Sequence, residues 1–560
     1  MFALRNGSKL SRLVVRSTIA AGVLALVGAI SAPRAQASGA LYSVMTRAPK
    51  SSQGHGKGQA KTPAVVTQSG PLKGIMNGTT AEFLGIPYAV PPVGSLRWTP
   101  PQSFGRWHGL LNASNFGSAC TQGGRGSENC LFLNVYVPNF KKNGHKRGGA
   151  LPVMFWIHGG GLVSGAGSDY DPTPLVNQGV IVVTINYRLG LLGFFAQSAI
   201  DGEGHENGNY GLMDQQLAMN WVQSNIGAFG GDPGNVTIFG ESAGGHSVYC
   251  QLASPTAAGL FAHAIAESGS YVIFEQFLQA IIPISDAETT GDGLVPSGAA
   301  IADSVGCSSQ TAACLRGVSN TEMISVQPGT LYAFVDGTLL TETPQDAFTS
   351  GNFNRVPIIA GTNHDEWRIF VAEQYDLQGN PILTQTEYND AVVLMWTSAL
   401  APFVEFLYPY ASFPSGGVAL GASGTDGIFA CGARNADQLL SQFTTTFAYE
   451  FNDENAPPPQ SQVPGLTFSL GAFHSAELQY LFNIGFFFEL NASQQQLSQA
   501  MVSYWTHFAA TGDPNSASTP TWAPYATNAD QFQSLIPPTP VVESTFNTDH
   551  QCDSFWNLVP

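Results

Sequence analysis

The chain has 560 residues, enough for a large buried core, and a formal net charge of −17. Phosphate binding needs a basic face, so this balance argues against nucleic acid as a partner. Only 11% of residues are charged, beside 62 Gly and 35 Pro, which favours turns and loops over long charged helices.

In chain order, residues 1–37 read as a signal peptide. Arg5, Lys9, Arg12 and Arg16 precede an apolar run over 19–30, and Ala35-Gln36-Ala37 is a small-x-small cleavage site. The run is short beside the ~20 residues of a bilayer span. Cleavage after Ala37 is therefore expected, giving a secreted or periplasmic protein. No other stretch reads as long and apolar enough to cross a membrane, so no stable span should remain. Residues 38–66 are rich in Gly, Ser, Lys and Gln and read as a disordered lead-in. The rest, 67–560, reads as one folded unit with cap-like insertions after about Tyr271.

From Leu151 short apolar runs alternate with helical spacing. The runs over 151–157, 180–185 and 236–239 read as buried parallel strands. Residues 214–226 carry Leu217, Ala218, Trp221 and Val222 at helical spacing. The pattern predicts an α/β fold with a central, mostly parallel sheet flanked by helices. Helical stretches over 388–399 and 495–510 suggest a cap.

Two glycine-rich turns follow predicted strands. Gly240-Glu-Ser-Ala-Gly244 fits G-x-S-x-G, with a helix-compatible stretch behind it. A turn this tight strains Ser242 and exposes its hydroxyl above the sheet, as a nucleophile requires. His158-Gly-Gly-Gly161 follows the run over 151–157. Bare glycines let backbone N–H groups converge on one point. Gly160, Gly161 and Ala243 would form an oxyanion hole, each donor worth roughly 3–4 kcal/mol in the transition state. A serine hydroxyl also needs a base, and the base needs an orienting carboxylate. His263, His364, His474, His507 and His550 all follow Ser242 and remain candidates; His246, four residues on, would lie behind the elbow. No Lys follows Lys146, which removes Lys Schiff bases and Ser-x-x-Lys dyads from the remaining chemistry. No His-x-x-x-His or Cys-x-x-Cys spacing points to a metal, and no cofactor is expected.

Seven cysteines fit an oxidising compartment. Cys120 and Cys130 are close, as are Cys307 and Cys314, whereas Cys431 and Cys552 are far apart and Cys250 is left over. Spacing alone does not fix the pairing.

At these motifs the chain resembles the type-B carboxylesterase family, which includes cholinesterases and some lipases. Phe229-Gly-Gly-Asp-Pro-Gly-Asn-Val-Thr-Ile-Phe-Gly-Glu-Ser-Ala-Gly244 matches the family's nucleophile signature. Glu128-Asn-Cys-Leu-Phe-Leu-Asn-Val-Tyr-Val-Pro138 resembles a second, with Asn129 where Asp is usual. The resemblance implies an α/β-hydrolase fold and a serine ester hydrolase. It makes Glu366, in Gly361-Thr-Asn-His-Asp-Glu366, the triad acid over the neighbouring Asp365. It makes His474, in Phe473-His-Ser-Ala-Glu477, the base. Trp367 stands where the family usually has Gly and could crowd the acid loop. Ser268 matches a position that supports acid and base, and Glu241 a buried acid beside the nucleophile. The resemblance further implies disulfides Cys120–Cys130, Cys307–Cys314 and Cys431–Cys552, a free Cys250, and a structural Arg97–Glu128 ion pair.

The loop between Cys120 and Cys130 is short and lacks aromatics, which argues against a choline site or a large lid there. The expected substrate is a small soluble ester. A lipase, a cholinesterase-like enzyme or a non-catalytic adhesion homologue are the alternatives; adhesion homologues lose triad residues that are present here. Asn77, Asn112 and Asn491 begin Asn-x-Ser/Thr sequences.

Overall fold

The computed structural model describes residues 62–138, 149–206, 208–273, 281–291 and 295–559. The expected leader and most of the lead-in lie outside these residues. Within the described part of the expected lead-in, Ala64–Val66 pairs with Pro71–Lys73 as a strand.

The strands in chain order are β1 (Ala64–Val66), β2 (Pro71–Lys73), β3 (Ile75–Asn77), β4 (Thr80–Pro87), β5 (Leu111–Asn112), β6 (Phe132–Val137) and β7 (Leu151–Ile157). They continue with β8 (Ile181–Ile185), β9 (Gly231–Glu241), β10 (His263–Glu267), β11 (Ile358–Asn363), β12 (Thr446–Phe451), β13 (Phe532–Leu535) and β14 (Val541–Glu543). Eleven of them form one sheet, in the order β14-β13-β12-β11-β10-β9-β7-β8-β6-β4-β3. From β8 to β13 every neighbouring pair is parallel, and the edge pairs are antiparallel.

Both faces of the sheet are covered. Val153, Phe155 and Ile157 of β7 enter one hydrophobic cluster, while Met154 and Trp156 enter the other. That two-sided burial is why the central strands read as continuous apolar runs rather than alternating ones. The run over 236–239 is part of a longer strand, since Gly231 also pairs with Leu151 across a register shift. The helix expected over 214–226 spans Tyr210–Asn225.

The chain leaves β7 for β8 on one side and returns to β9 on the other. Such a reversal opens a crevice at the carboxyl ends of the two strands. Both glycine-rich turns lie at that crevice.

Helices follow β10 and β11, as expected for the cap, including Gln385–Leu407 and Gly416–Gly424. One expectation needs correction: the stretch Gln385–Ser412 is long and apolar enough to cross a membrane by length and composition. Its helix contains Pro402 and a non-helical Thr397, and it buries Tyr388, Ala391, Val392, Trp396, Ala401 and Val404 in the protein. The sequence pattern concealed it because helical positions at its start and end carry Glu387, Asp390 and Glu405.

Candidate active site

β9 ends at Glu241 and the helix Ala243–Ala253 begins two residues later. Ser242 alone makes the turn, at φ 57° and ψ −122°, a conformation that strains a residue bearing a Cβ. Its N–H donates to Glu267 O at 2.9 Å and its carbonyl accepts from His246 N at 2.8 Å, so the strain is held from both sides. The turn is that tight because helix and β7 nearly touch. A Cβ on Gly244 would lie 2.0 Å from Ile157 O.

The turn after β7 faces this elbow. Gly160 has φ 109°, and its carbonyl accepts from Val163 N at 2.9 Å and Ser164 N at 3.0 Å. A side chain there is excluded, since a Cβ would lie 2.1 Å from Ser164 O. Among the described residues the N–H groups of Gly160 and Gly161 donate to no carbonyl, and that of Ala243 is the orphan donor of a first helical turn. These are the three amides expected to form the oxyanion hole. His158 beside them is buried, stacked on Tyr187 at 4.4 Å, with Nδ1 2.8 Å from Gly159 O. Burial lowers its pKa to about 4, keeping a positive charge out of the turn.

His474 Nδ1 lies 2.6 Å from Glu366 Oε2. The other Glu366 oxygen accepts from Thr362 Oγ1 at 2.7 Å and Asn363 N at 2.8 Å, so the carboxylate is fixed from both ends. Asp365, the competing acid, is committed elsewhere: it pairs with Arg368 at 2.7 Å and accepts from Ala472 N at 2.9 Å. His474 Nε2 is 3.2 Å from Glu241 Oε1, within ion-pair range but without hydrogen-bond geometry. The Ser242 hydroxyl makes no hydrogen bond among the described residues. Nucleophile–base contacts are often loose until substrate arrives.

Glu366 and Glu241 contact this imidazole, and the buried Glu267 and Glu477 lie close enough to act on Glu241. Burial and then the charges of Glu477, Glu366 and Glu267 hold Glu241 well above the carboxylate range. Burial, followed by Glu366 and Glu267, does the same to Glu477. Burial pushes Glu267 up to about 8, against a 2.7 Å hydrogen bond from Trp505 Nε1. Like charges this close cannot all ionise, so burial and mutual repulsion favour the protonated forms of Glu241, Glu267 and Glu477.

Ser268 is buried at φ 49°, with its N–H donating to Gly361 O at 2.9 Å. The expected support of acid and base is not made by its hydroxyl, which finds no partner among the described residues. The backbone at 268 instead ties β10 to the end of β11.

Trp367 does not crowd the acid loop, because Gly424 makes room for it. A Cβ on Gly424 would lie 2.3 Å from Trp367 Cγ, and Trp367 N donates to Thr425 Oγ1 at 3.0 Å. The indole also packs 4.7 Å from the Phe370 ring, and Phe370 and Phe429 each sit 5.1 Å from the His474 ring. Sequence reasoning missed this aromatic wall; only the unusual Trp367 hinted at it. It also missed the effect of the Glu267 and Glu477 charges on Glu241.

The three disulfides are Cys120–Cys130, Cys307–Cys314 and Cys431–Cys552, and Cys250 is free and buried. Arg97 and Glu128 pair through two hydrogen bonds of 2.6 and 2.7 Å. The disulfides fit an extracellular or secretory-pathway protein.

Comparison with known proteins agrees with this geometry. The model of the carboxylesterase family matches residues 61–555. Carboxylesterase 1D of Rattus norvegicus is 35% identical over 505 residues, covering 80% of this chain and 83% of that protein. Cocaine esterase of Homo sapiens is 33% identical, covering 86% of this chain and 89% of that protein. A solved PNB esterase is 30% identical with a TM-score of 0.71, covering 88% of this chain and 100% of its own. The chain belongs to the carboxylesterase family, and it is a serine carboxylic-ester hydrolase with the α/β-hydrolase fold.

Proposed function

We propose that Ser242, His474 and Glu366 are the catalytic triad of this esterase, with Gly160, Gly161 and Ala243 as its oxyanion hole. The observation that carries the reading is the 2.6 Å Glu366–His474 contact, with the other imidazole nitrogen 3.2 Å from Glu241, the residue before the strained Ser242. His474 takes the serine proton as the hydroxyl attacks the ester carbonyl. The three amides hold the oxyanion, and His474 then protonates the leaving alcohol. Water repeats the cycle on the acyl-enzyme. Glu366 fixes the imidazole tautomer and stabilises its positive charge. Protonated Glu241 and Glu267 would place dipoles rather than charges near the reacting oxygen.

The substrates are small soluble esters. Support comes from the ten-residue spacing of Cys120 and Cys130, which leaves no room for a large lid. The segment after Gly329 helps shape the pocket, since Leu331 N donates to Gly161 O at 2.9 Å. The mature protein begins after Ala37 and is exported.

The test is hydrolysis of p-nitrophenyl esters of increasing acyl length by the purified chain and by Ser242→Ala. The expected result is turnover of short esters, with kcat about 10⁶-fold lower in the variant. Equal activity in both proteins would remove Ser242 from the chemistry. Strong activation by an oil–water interface would instead favour a lipase.

A further inference from the structure

Away from the cleft, three distant segments meet behind the acid loop. In β12, Tyr449 and Phe451 face one hydrophobic cluster, so Glu450 between them faces the other side, 1% exposed. β11 runs on into His364, whose N–H donates to Phe451 O at 3.0 Å. The C-terminal segment brings in His550, 2% exposed and two residues before the Cys431–Cys552 disulfide. One ligand atom from each of His364, Glu450 and His550 lies within 4.8 Å of the other two.

The surroundings are more specific than the cluster. Each imidazole has Nδ1 against an aspartate: His550 with Asp426 at 2.6 Å and His364 with Asp365 at 3.2 Å. Those aspartates are anchored in turn. Asp426 accepts from Tyr408 OH at 2.6 Å, and Tyr408 accepts from Trp556 Nε1 at 2.7 Å. Asp365 is held by Arg368 and Ala472 N, as described above. With Nδ1 committed, Nε2 is the remaining nitrogen of each ring, and that of His550 already lies 2.5 Å from Glu450 Oε1. Asn452 Nδ2 bridges the other Glu450 oxygen, at 2.7 Å, to Glu543 Oε2, at 3.0 Å, bringing a further carboxylate to the edge.

Carboxylates that orient histidines by Nδ1 so that Nε2 faces inward are the outer partners of metal-binding histidines. We infer that His364, Glu450 and His550 form a divalent-metal site, taking a zinc-class ion through two imidazoles and one carboxylate. Two nitrogen donors favour zinc over calcium or magnesium, which prefer oxygen alone. Among the described residues Asp365, Asp426 and Glu450 meet Arg368 and the two imidazoles, and a dication would replace the positive charge that the imidazoles carry when protonated. Ligands of a four-coordinate zinc ion lie about 3.3 Å apart. The His550–Glu450 contact therefore opens slightly on binding, and His364 closes in. His364 sits on a loop with a side chain 33% exposed, which supplies both the movement and a way in from solvent.

The experiment uses the full chain, stripped with a chelator, dialysed against Zn²⁺ and assayed for bound metal by mass spectrometry. One Zn²⁺ retained per chain is expected, with visible d–d bands on Co²⁺ substitution. His364→Ala and Glu450→Gln should each weaken Zn²⁺ binding at least tenfold, and Asp426→Asn by about 10–100-fold. His108→Ala, on an exposed histidine elsewhere, should leave it unchanged. Because His364 is partly exposed, its alanine variant should melt like the parent without metal and lose only the rise in Tm that Zn²⁺ gives. Failure to retain metal, or unchanged affinity in His364→Ala and Glu450→Gln, would overturn the assignment.

Discussion

His474 and His550 are both buried, and both meet a carboxylate through Nδ1 at 2.6 Å. They differ at the other nitrogen. His550 Nε2 is closed by Glu450 at 2.5 Å, whereas among the described residues the polar neighbour of His474 Nε2 is Glu241, at a loose 3.2 Å. Their neighbours differ as well. Beside His474, burial and neighbouring charges hold Glu241 well above the carboxylate range, whereas beside His550 Glu450 is pulled down to about 2, by His550 and then His364, against burial. An imidazole gripped at both ends can pin segments together or hold an ion, but it cannot shuttle protons. One left open at Nε2 can.

Removing the orienting acid should break this comparison most visibly. Glu366→Gln is expected to lower kcat by about 10⁴-fold while the protein stays folded, because the amide favours the wrong imidazole tautomer. Glu450→Gln, the matching change at the other histidine, should lower kcat less than tenfold. Steady-state kinetics on one p-nitrophenyl ester checks both, and equal losses would mean that the two histidines act as one system.

Next in size is His550→Asn, which leaves Asp426 and Glu450 without their shared partner. Breaking a buried ion pair on one side costs about 3–5 kcal/mol. Chemical denaturation in the presence of a chelator should show that loss, with kcat per folded molecule within tenfold of the parent. A stability change below about 1 kcal/mol would demote the cluster to a weakly coupled edge of the fold.

The smallest effect concerns the proton-holding acids. Glu267 has its pKa raised from 4.5 to about 8, so the folded chain binds an extra proton between those values. Stability conferred by that proton is full below about pH 4.5 and is lost as pH rises through about 8. Glu267→Gln should flatten the decline by up to about 1.4 kcal/mol per pH unit. Urea melts at pH 5, 6.5 and 8 would read it. A parallel decline in both proteins would assign the slope to Glu241 and Glu477 instead.

The elbow and the oxyanion turn were legible in the sequence because each is local. Gly240, Gly244 and Gly160 are required by contacts with backbone a few residues away or on the adjacent strand, so the motif carries the geometry. The strands were legible because two-sided burial leaves uninterrupted apolar runs such as Met154-Phe-Trp-Ile157. The choice of His474 among five histidines came only from the resemblance, since nothing in the spacing separates it from His550. The His364–Glu450–His550 cluster was not legible at all. Its members come from the loop after one strand, the neighbouring strand and a disulfide-tied terminus, and no spacing rule links residues so far apart. The aromatic wall escaped for a similar reason, as Phe370 and Phe429 look like ordinary core residues until the sheet sets them against His474.

The contact between Trp367 and Gly424 makes those two positions epistatic. Grafting this acid loop onto a relative, or a relative's loop onto this chain, exchanges a large side chain for a small one on one side of a contact with no slack. In a random-mutagenesis library, a hit at 424 alone would therefore score as an active-site lesion, because the displaced indole pushes on the loop that carries Glu366. Productive variants at 367 are expected to arrive in pairs, with the volume removed at one position returned at the other.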